Sequence, residues 1–168
     1  MTETFQIRKA RREDAPGILQ CLERAFAPYR ESYTAAAFAE TVLNKETLRR
    51  RFQEMTVLVG VGEESHIIGT IAYNVDKNGN GRIRGMAVLP DWHGLGVADR
   101  LLDQAESDLR GLGCRVIGLE TARPLQRAIR FYEKRGFRAT GEAADFFGME
   151  LIPHRKEMGS RGNATGRN

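Results

Sequence analysis

Apolar residues return along this chain with two different periods, and the changes of period mark out its elements. Residues 5–9 (FQIRK) alternate apolar and polar, the pattern of a half-buried strand. After Asp14 the apolar positions Ile18, Leu22, Ala25 and Phe26 share one helical face. Residues 33–43 and 46–55, rich in Ala, Leu and charge, predict one or two further helices. Residues 56–62 (TVLVGVG) predict a buried strand, and 66–75 (HIIGTIAYNV) the next, across a Glu-Glu-Ser turn. The run Asn78-Gly79-Asn80-Gly81 is a hairpin signal, so residues 82–89 (RIRGMAVL) are its second strand, ended by Pro90. The helical period resumes at Val97, Leu101, Ala105 and Leu109 and stops at Gly111-Leu112-Gly113. Residues 114–121 (CRVIGLET) predict a strand, and Leu125, Ala128, Ile129 and Tyr132 one face of a helix that stops at Gly136. Residues 137–152 predict two strands around a turn near 141–145. Antiparallel strands first and a βαβ unit later give the α/β (α+β) class, a mixed sheet with helices on both faces.

A length of 168 residues suits one domain. It is placed at residues 1–152, with 153–168 (PHRKEMGSRGNATGRN) as a polar, Gly-rich and basic tail that is expected to be disordered. That tail changes the meaning of the net charge of +4. It holds Arg155, Lys156, Arg161 and Arg167 against Glu157 alone, which accounts for three of the four charges. The body is close to neutral, so no specific nucleic-acid partner is expected. Arg49, Arg50 and Arg51 read as a solvated helix face, the alternative being binding of an acidic partner. No apolar run is long enough to span a membrane, and the chain lacks a charged-then-apolar start, so a cytoplasmic protein without a membrane partner is expected. Cys21 and Cys114 lie far apart and read as buried thiols. His66 and His154 show no metal spacing with each other or with the cysteines, and no metal is expected.

The candidate chemistry centres on residues 90–102, PDWHGLGVADRLL. Gly94 and Gly96 stand between a strand and a helix, where unpaired N–H groups and the helix dipole favour an anion. Lacking Cβ atoms, they would let a phosphate approach the backbone. Taken alone, the glycines leave open a turn with no ligand. A dinucleotide fingerprint is disfavoured because Asp99 occupies its third small position, and the Gly-Lys-Ser/Thr of a P-loop is absent.

This stretch resembles motif A of the GNAT superfamily of acyl-CoA-dependent N-acyltransferases, Gln/Arg-x-x-Gly-x-Gly/Ala, and the preceding Met86-Ala87-Val88-Leu89-Pro90 is similar to the exit of the family's fourth strand. Downstream, Ala128-Ile129-Arg130-Phe131-Tyr132-Glu133-Lys134-Arg135-Gly136-Phe137 is similar to the family's A-x-x-F/L-Y-x-x-x-G-F segment. Both motifs stand in the family's order, and the resemblance covers about residues 5 to 152. Two positions depart from it: His93 replaces the usual Gln or Arg, and Leu125 stands where many members have an Asn. His93 can still donate a hydrogen bond.

The resemblance implies a mostly antiparallel sheet splayed between its fourth and fifth strands, and acetyl transfer from acetyl-CoA to a primary amine of a small molecule or a peptide. It implies a pyrophosphate on the N–H groups of His93, Gly94, Leu95, Gly96, Val97 and Ala98. The pantetheine arm would pair along Met86, Ala87 and Val88, with an oxyanion-stabilising N–H near Met86–Val88 and a local bulge at Gly85, the alternative being an ordinary strand glycine. Tyr132 is the implied general acid, the alternative being a core-packing ring. Glu120 is the implied base, the alternative being an exposed strand residue. Tyr29 and Tyr33, on the first helices, are expected at the acceptor, the alternative being that they pack the helix pair. The chain is expected to act as a monomer or homodimer. A non-catalytic acyl-CoA-binding module is the competing reading.

Overall fold

A computed structural model of the chain describes residues 4–159. Strand β1 (Gln6–Lys9) leads through a 3-10 turn into α1 (Ala15–Phe26), which carries Pro16 in its first turn, where the missing N–H costs nothing. Helices α2 (Ala35–Val42) and α3 (Lys45–Glu54) follow a 3-10 segment over Ala27–Ser32. They are two helices because Leu43 takes φ +63° and Asn44 caps the second, its side chain accepting the Thr47 N–H at 2.9 Å. Next come β2 (Thr56–Val61), β3 (Ile67–Val75), β4 (Gly81–Val88), α4 (Val97–Gly111), β5 (Val116–Thr121) and α5 (Gln126–Lys134). The chain closes with β6 (Arg138–Ala139), β7 (Ala144–Phe146) and β8 (Met149–Glu157).

The sheet runs β1-β2-β3-β4-β5-β8-β6, with β7 paired to the start of β8. Every pairing is antiparallel except β4 with β5. That parallel pairing holds only at Gly81↔Ile117 and Arg82↔Gly118, after which the two strands part. Helices cover both faces. Helix α1 lies on one, where a Cβ on Gly17 would come within 2.6 Å of Ile67. Helix α4 lies on the other, seating Val97, Leu101, Leu102, Ala105 and Leu109 in a core that includes Leu58, Ile68, Ile71 and Ile83.

The antiparallel part and the α4 period match the sequence pattern closely. Three features differ from it. The strand expected from residue 114 begins at Val116. The final segment contains three short or long strands instead of two. The last of these runs on through Pro153–Glu157, residues expected in the tail, because β5 offers them a full antiparallel partner from Thr121↔Ile152 to Val116↔Glu157. There Lys156 reaches Glu106 of α4 at 2.7 Å, its stem lying under Gly136. The remainder of the expected tail, residues 160–168, lies outside the described residues.

Candidate active site

The parting of β4 and β5 opens a cleft of about 840 Å³ that reaches from the start of α4 to α1 and α2. Its β4 wall carries a bulge. Thr70 pairs with Ala87 and Ala72 with Arg84, so Gly85 and Met86 together face the single residue Ile71. Gly85 makes this possible by taking φ +63°, a conformation that a side chain would strain. Beyond the bulge, the Leu89 N–H bonds the Ile68 carbonyl at 2.9 Å. In an antiparallel ladder hydrogen-bonded pairs alternate, so Val88, paired with Gly69, turns its own N–H and C=O away from β3 and into the gap.

The turn before α4 supplies the second wall. Gly94 and Gly96 have φ of +78° and +88°, and a Cβ built on either would meet nothing within 4 Å. The helix's first backbone bond is Arg100 N–H to Gly96 C=O, at 3.1 Å. Among the described residues, the N–H groups of Gly94, Leu95, Gly96, Val97 and Ala98 have no acceptor. This set suits a phosphate group, with donors free and open space where side chains would intrude. His93 departs from expectation. Its N–H is already bonded to the Pro90 carbonyl at 3.1 Å, so it does not belong to the free set. Its ring folds back, Nε2 donating to the Val88 carbonyl at 3.2 Å, which fixes the proton on Nε2 because a carbonyl can only accept. His93 thus ties the turn to the strand.

The third wall comes from α5. Tyr132 is buried, its ring set edge-on between Phe131 and Phe137 with centroids 5.3 and 5.6 Å away. Burial pushes its phenol well above the ordinary value, so it stays protonated through the neutral range. Its ring lines the cleft, and among the described residues its hydroxyl has no hydrogen-bond partner. The other candidate, Glu120, is exposed on β5 and lines the same cleft from the opposite face. The faces follow from β8. Lys156 packs under α5, so His154, two residues earlier, shares that side, and its Nε2 lies 2.8 Å from Thr121 Oγ1. Glu120, next to Thr121, therefore faces α1–α3. His154 itself is buried with Nδ1 unpartnered, and burial lowers its pKa, so it is neutral at pH 7.

On the α1–α3 side, Tyr29 and Tyr33 line the cleft. Tyr33 is edge-on to both Phe26 and Phe38, and burial beside Tyr29 pushes its phenol up to about 12. Next to Tyr33, Thr34 Oγ1 donates to the Phe147 carbonyl at 2.7 Å and so ties the start of α2 to a distant segment. The cleft gathers Met86, Ala87, Val88, His93, Gly94, Gly96, Val97 and Ala98 as well, and Leu125 where the family often has Asn. Leu95 is the exception, since its side chain is 46% exposed and outside the lining. Arg51 corrects the solvated reading of its helix face. It points inward and lines the cleft, while Arg49 stays outside and pairs with Glu46 at 2.7 Å. No sequence signal marks that difference on α3 itself. Among the described residues no group of His, Cys, Asp or Glu could hold a metal ion, and no helix is long and apolar enough to cross a membrane.

The sheet is thus parted beside a free helix N-terminus, with a protonated tyrosine at the gap. The sequence model of the acetyltransferase (GNAT) family matches residues 18–137. The chain belongs to that family. Solved structures share the fold at low identity. An acetyltransferase of the GNAT family from Staphylococcus aureus Mu50 superposes with a TM-score of 0.77 at 15% identity, covering 93% of this chain and 100% of its own. The PaiA N-acetyltransferase from Thermoplasma acidophilum, in complex with coenzyme A, gives 0.77 at 21% identity over 92% and 99%. The ribosomal-protein-S18-alanine N-acetyltransferase from Escherichia coli gives 0.75 at 16% identity over 98% and 100%. No protein of curated function matches the sequence.

Proposed function

We propose that this chain transfers the acetyl group of acetyl-CoA to a primary amine by direct attack, with Tyr132 as general acid. The observation that carries the proposal is the unpartnered, protonated Tyr132 hydroxyl at a gap whose other walls are free backbone donors. When bound, acetyl-CoA supplies the thioester carbon that the amine attacks. The N–H groups of Gly94 to Ala98 hold the pyrophosphate at the helix N-terminus. Met86, Ala87 and Val88 present the β4 edge to the pantetheine arm, and Leu125 gives that arm an apolar contact in place of an amide. The Val88 N–H faces the gap and stabilises the negative charge that develops on the carbonyl oxygen as the C–N bond forms. Tyr132 gives its proton to the sulfur as the C–S bond breaks, and regains one from solvent. Glu120, on the acceptor face, takes the proton that the amine must lose, directly or through water. Tyr29 and Tyr33 flank the acceptor.

The test is thiol release from acetyl-CoA with a panel of amines and peptides, products being read by mass spectrometry. Turnover should appear with at least one primary amine and fall in Tyr132→Phe while acetyl-CoA still binds. Binding of CoA without turnover across the panel would instead favour a non-catalytic acyl-CoA-binding module.

A further inference from the structure

We infer that Arg51 docks the acceptor, and that the acceptor is a small primary amine carrying a carboxylate. This deepens the acetyl-transfer reading above and rests on it. Three observations place the guanidinium. Arg51 lines both the cleft and a small internal cavity bounded by Ile18, Leu22 and Leu48, so its stem crosses apolar packing and its head emerges at the β4 wall. A Cβ on Gly85 would stand 2.5 Å from its Nη1, so the bulge glycine makes the room that the guanidinium fills. The bulge, Gly85 and Met86, ends two residues before the Val88 N–H that faces the gap.

The guanidinium also lacks a partner. Among the described residues no carboxylate lies within 4.0 Å of it, and it makes no hydrogen bond. Glu40 and Glu54 attract it from farther away, and Arg84, which lines the same cleft, repels it. Burial, the largest influence, brings its pKa down to about 10. It is still charged at neutral pH, and an unpaired buried charge is expensive. A carboxylate matches its planar fork with two parallel hydrogen bonds.

The opposite end of such a ligand also has a place. Glu120 lies across the gap on β5, on the same α1–α3 face as Arg51, and among the described residues it has no ion-pair partner. A molecule with an ammonium at one end and a carboxylate at the other complements both charges of this cleft, with its nitrogen on the Glu120 side where acetyl transfer takes place. A neutral amine satisfies only half of the arrangement.

The experiment compares matched acceptors with the full-length chain: phenylalanine against phenethylamine, 4-aminobutyrate against butylamine, and 2-aminoethylphosphonate as a phosphonate arm. Thiol release gives kcat/KM for each, and a CoA-induced rise in melting temperature confirms that every variant is folded. The acid of at least one pair should exceed its neutral partner tenfold or more, since a charge-assisted bond pair to the guanidinium is formed only by the acid. That preference should fall tenfold or more in Arg51→Gln and be partly kept in Arg51→Lys. Equal use of both members by the wild type, an unchanged preference in Arg51→Gln, or an equal loss for both members would overturn the inference. A preference for the phosphonate would overturn the carboxylate assignment. Turnover of neutral amines alone overturns this inference and leaves acetyl transfer standing. Turnover of no amine overturns both.

Discussion

The turn ahead of α4 can be tested with one methyl group placed twice in the same helix. Gly96 has φ +88°, and a Cβ there would meet no atom within 4 Å. Gly96→Ala therefore creates no clash, and its cost is conformational. Holding an L-residue in the left-handed region costs about 1–2 kcal/mol. For a chain of 168 residues, about 1 kcal/mol corresponds to roughly 2–4 °C in melting temperature, so a fall of about 2–8 °C is expected. If the turn escapes this strain by rotating, the neighbouring N–H groups swing out of register. Losing one charge-assisted bond to a phosphate costs about 1.5–3 kcal/mol, or roughly 10- to 100-fold in CoA affinity. Gly111→Ala is the control. It ends the same helix without a positive φ, and its Cβ also meets nothing within 4 Å. Alanine is the better helix former, so this variant should gain about 0.5–1 kcal/mol and bind CoA as the wild type does. Calorimetric titration with CoA and thermal melts of the three proteins decide it. CoA affinity that is equal in Gly96→Ala and Gly111→Ala would refute the turn as the phosphate site.

Tyr132→Phe should lower kcat at least tenfold with little change in the KM for acetyl-CoA. Because burial raises the Tyr132 pKa, no loss of activity from its deprotonation should appear below about pH 10. A kcat–pH profile that falls with a pKa near 7–8 and keeps that limb in Tyr132→Phe would assign the limb to another group. Gly17→Ala should destabilise by about 1–3 kcal/mol, because its Cβ would press on Ile67 at 2.6 Å where α1 meets β3, and a denaturant titration measures it. Asp14 accepts from Arg8 at 2.7 and 3.0 Å and from the Arg11 N–H at 2.7 Å, and the Arg8 hydrogen bond, the largest cause, lowers its pKa. With its folded pKa depressed, its stabilisation is complete above the unfolded value of about 3.9 and is lost as pH falls through the folded value. Asp14→Ala should cost about 1–3 kcal/mol at pH 7, and the gap from wild type should narrow in melts below about pH 4. Thr34→Ala removes both the α2 cap to the Ala37 N–H and the bond to Phe147, so stability should fall by about 1 kcal/mol. The acceptor KM should rise with it, which steady-state kinetics would show.

The fold was legible where burial follows a simple period. Val97, Leu101, Ala105 and Leu109 each face one sheet, and their spacing shows it. The Asn-Gly-Asn-Gly turn fixed the β3–β4 hairpin, whereas Gly85 inside an apolar strand left both a bulge and an ordinary strand glycine open. The end of β8 was not legible, because its buried positions are polar. His154 is buried against Thr121, which lies 33 residues away, and Lys156 against Glu106, 50 residues away. Composition alone makes such residues look solvated. Arg51 was hidden for a related reason. Its helix neighbours are exposed cations, and the space it enters is a missing Cβ on a strand 34 positions later. His93 could be located but not described, since its N–H and ring are used by Pro90 and Val88, both within five residues.

The short contact between β4 and β5 has one more consequence. Past Arg82 and Gly118 the β4 backbone is an unpaired strand edge, and such edges template the pairing of other chains. Most sheets carry that hazard on their outer rim. Here it lies in the middle of the sheet, flanked by β5 and β8, and it is blunted by a bulge at Gly85 and by the exposed charges of Arg82 and Arg84. The fold thus keeps open, next to its reaction centre, a stretch of backbone that elsewhere would invite aggregation.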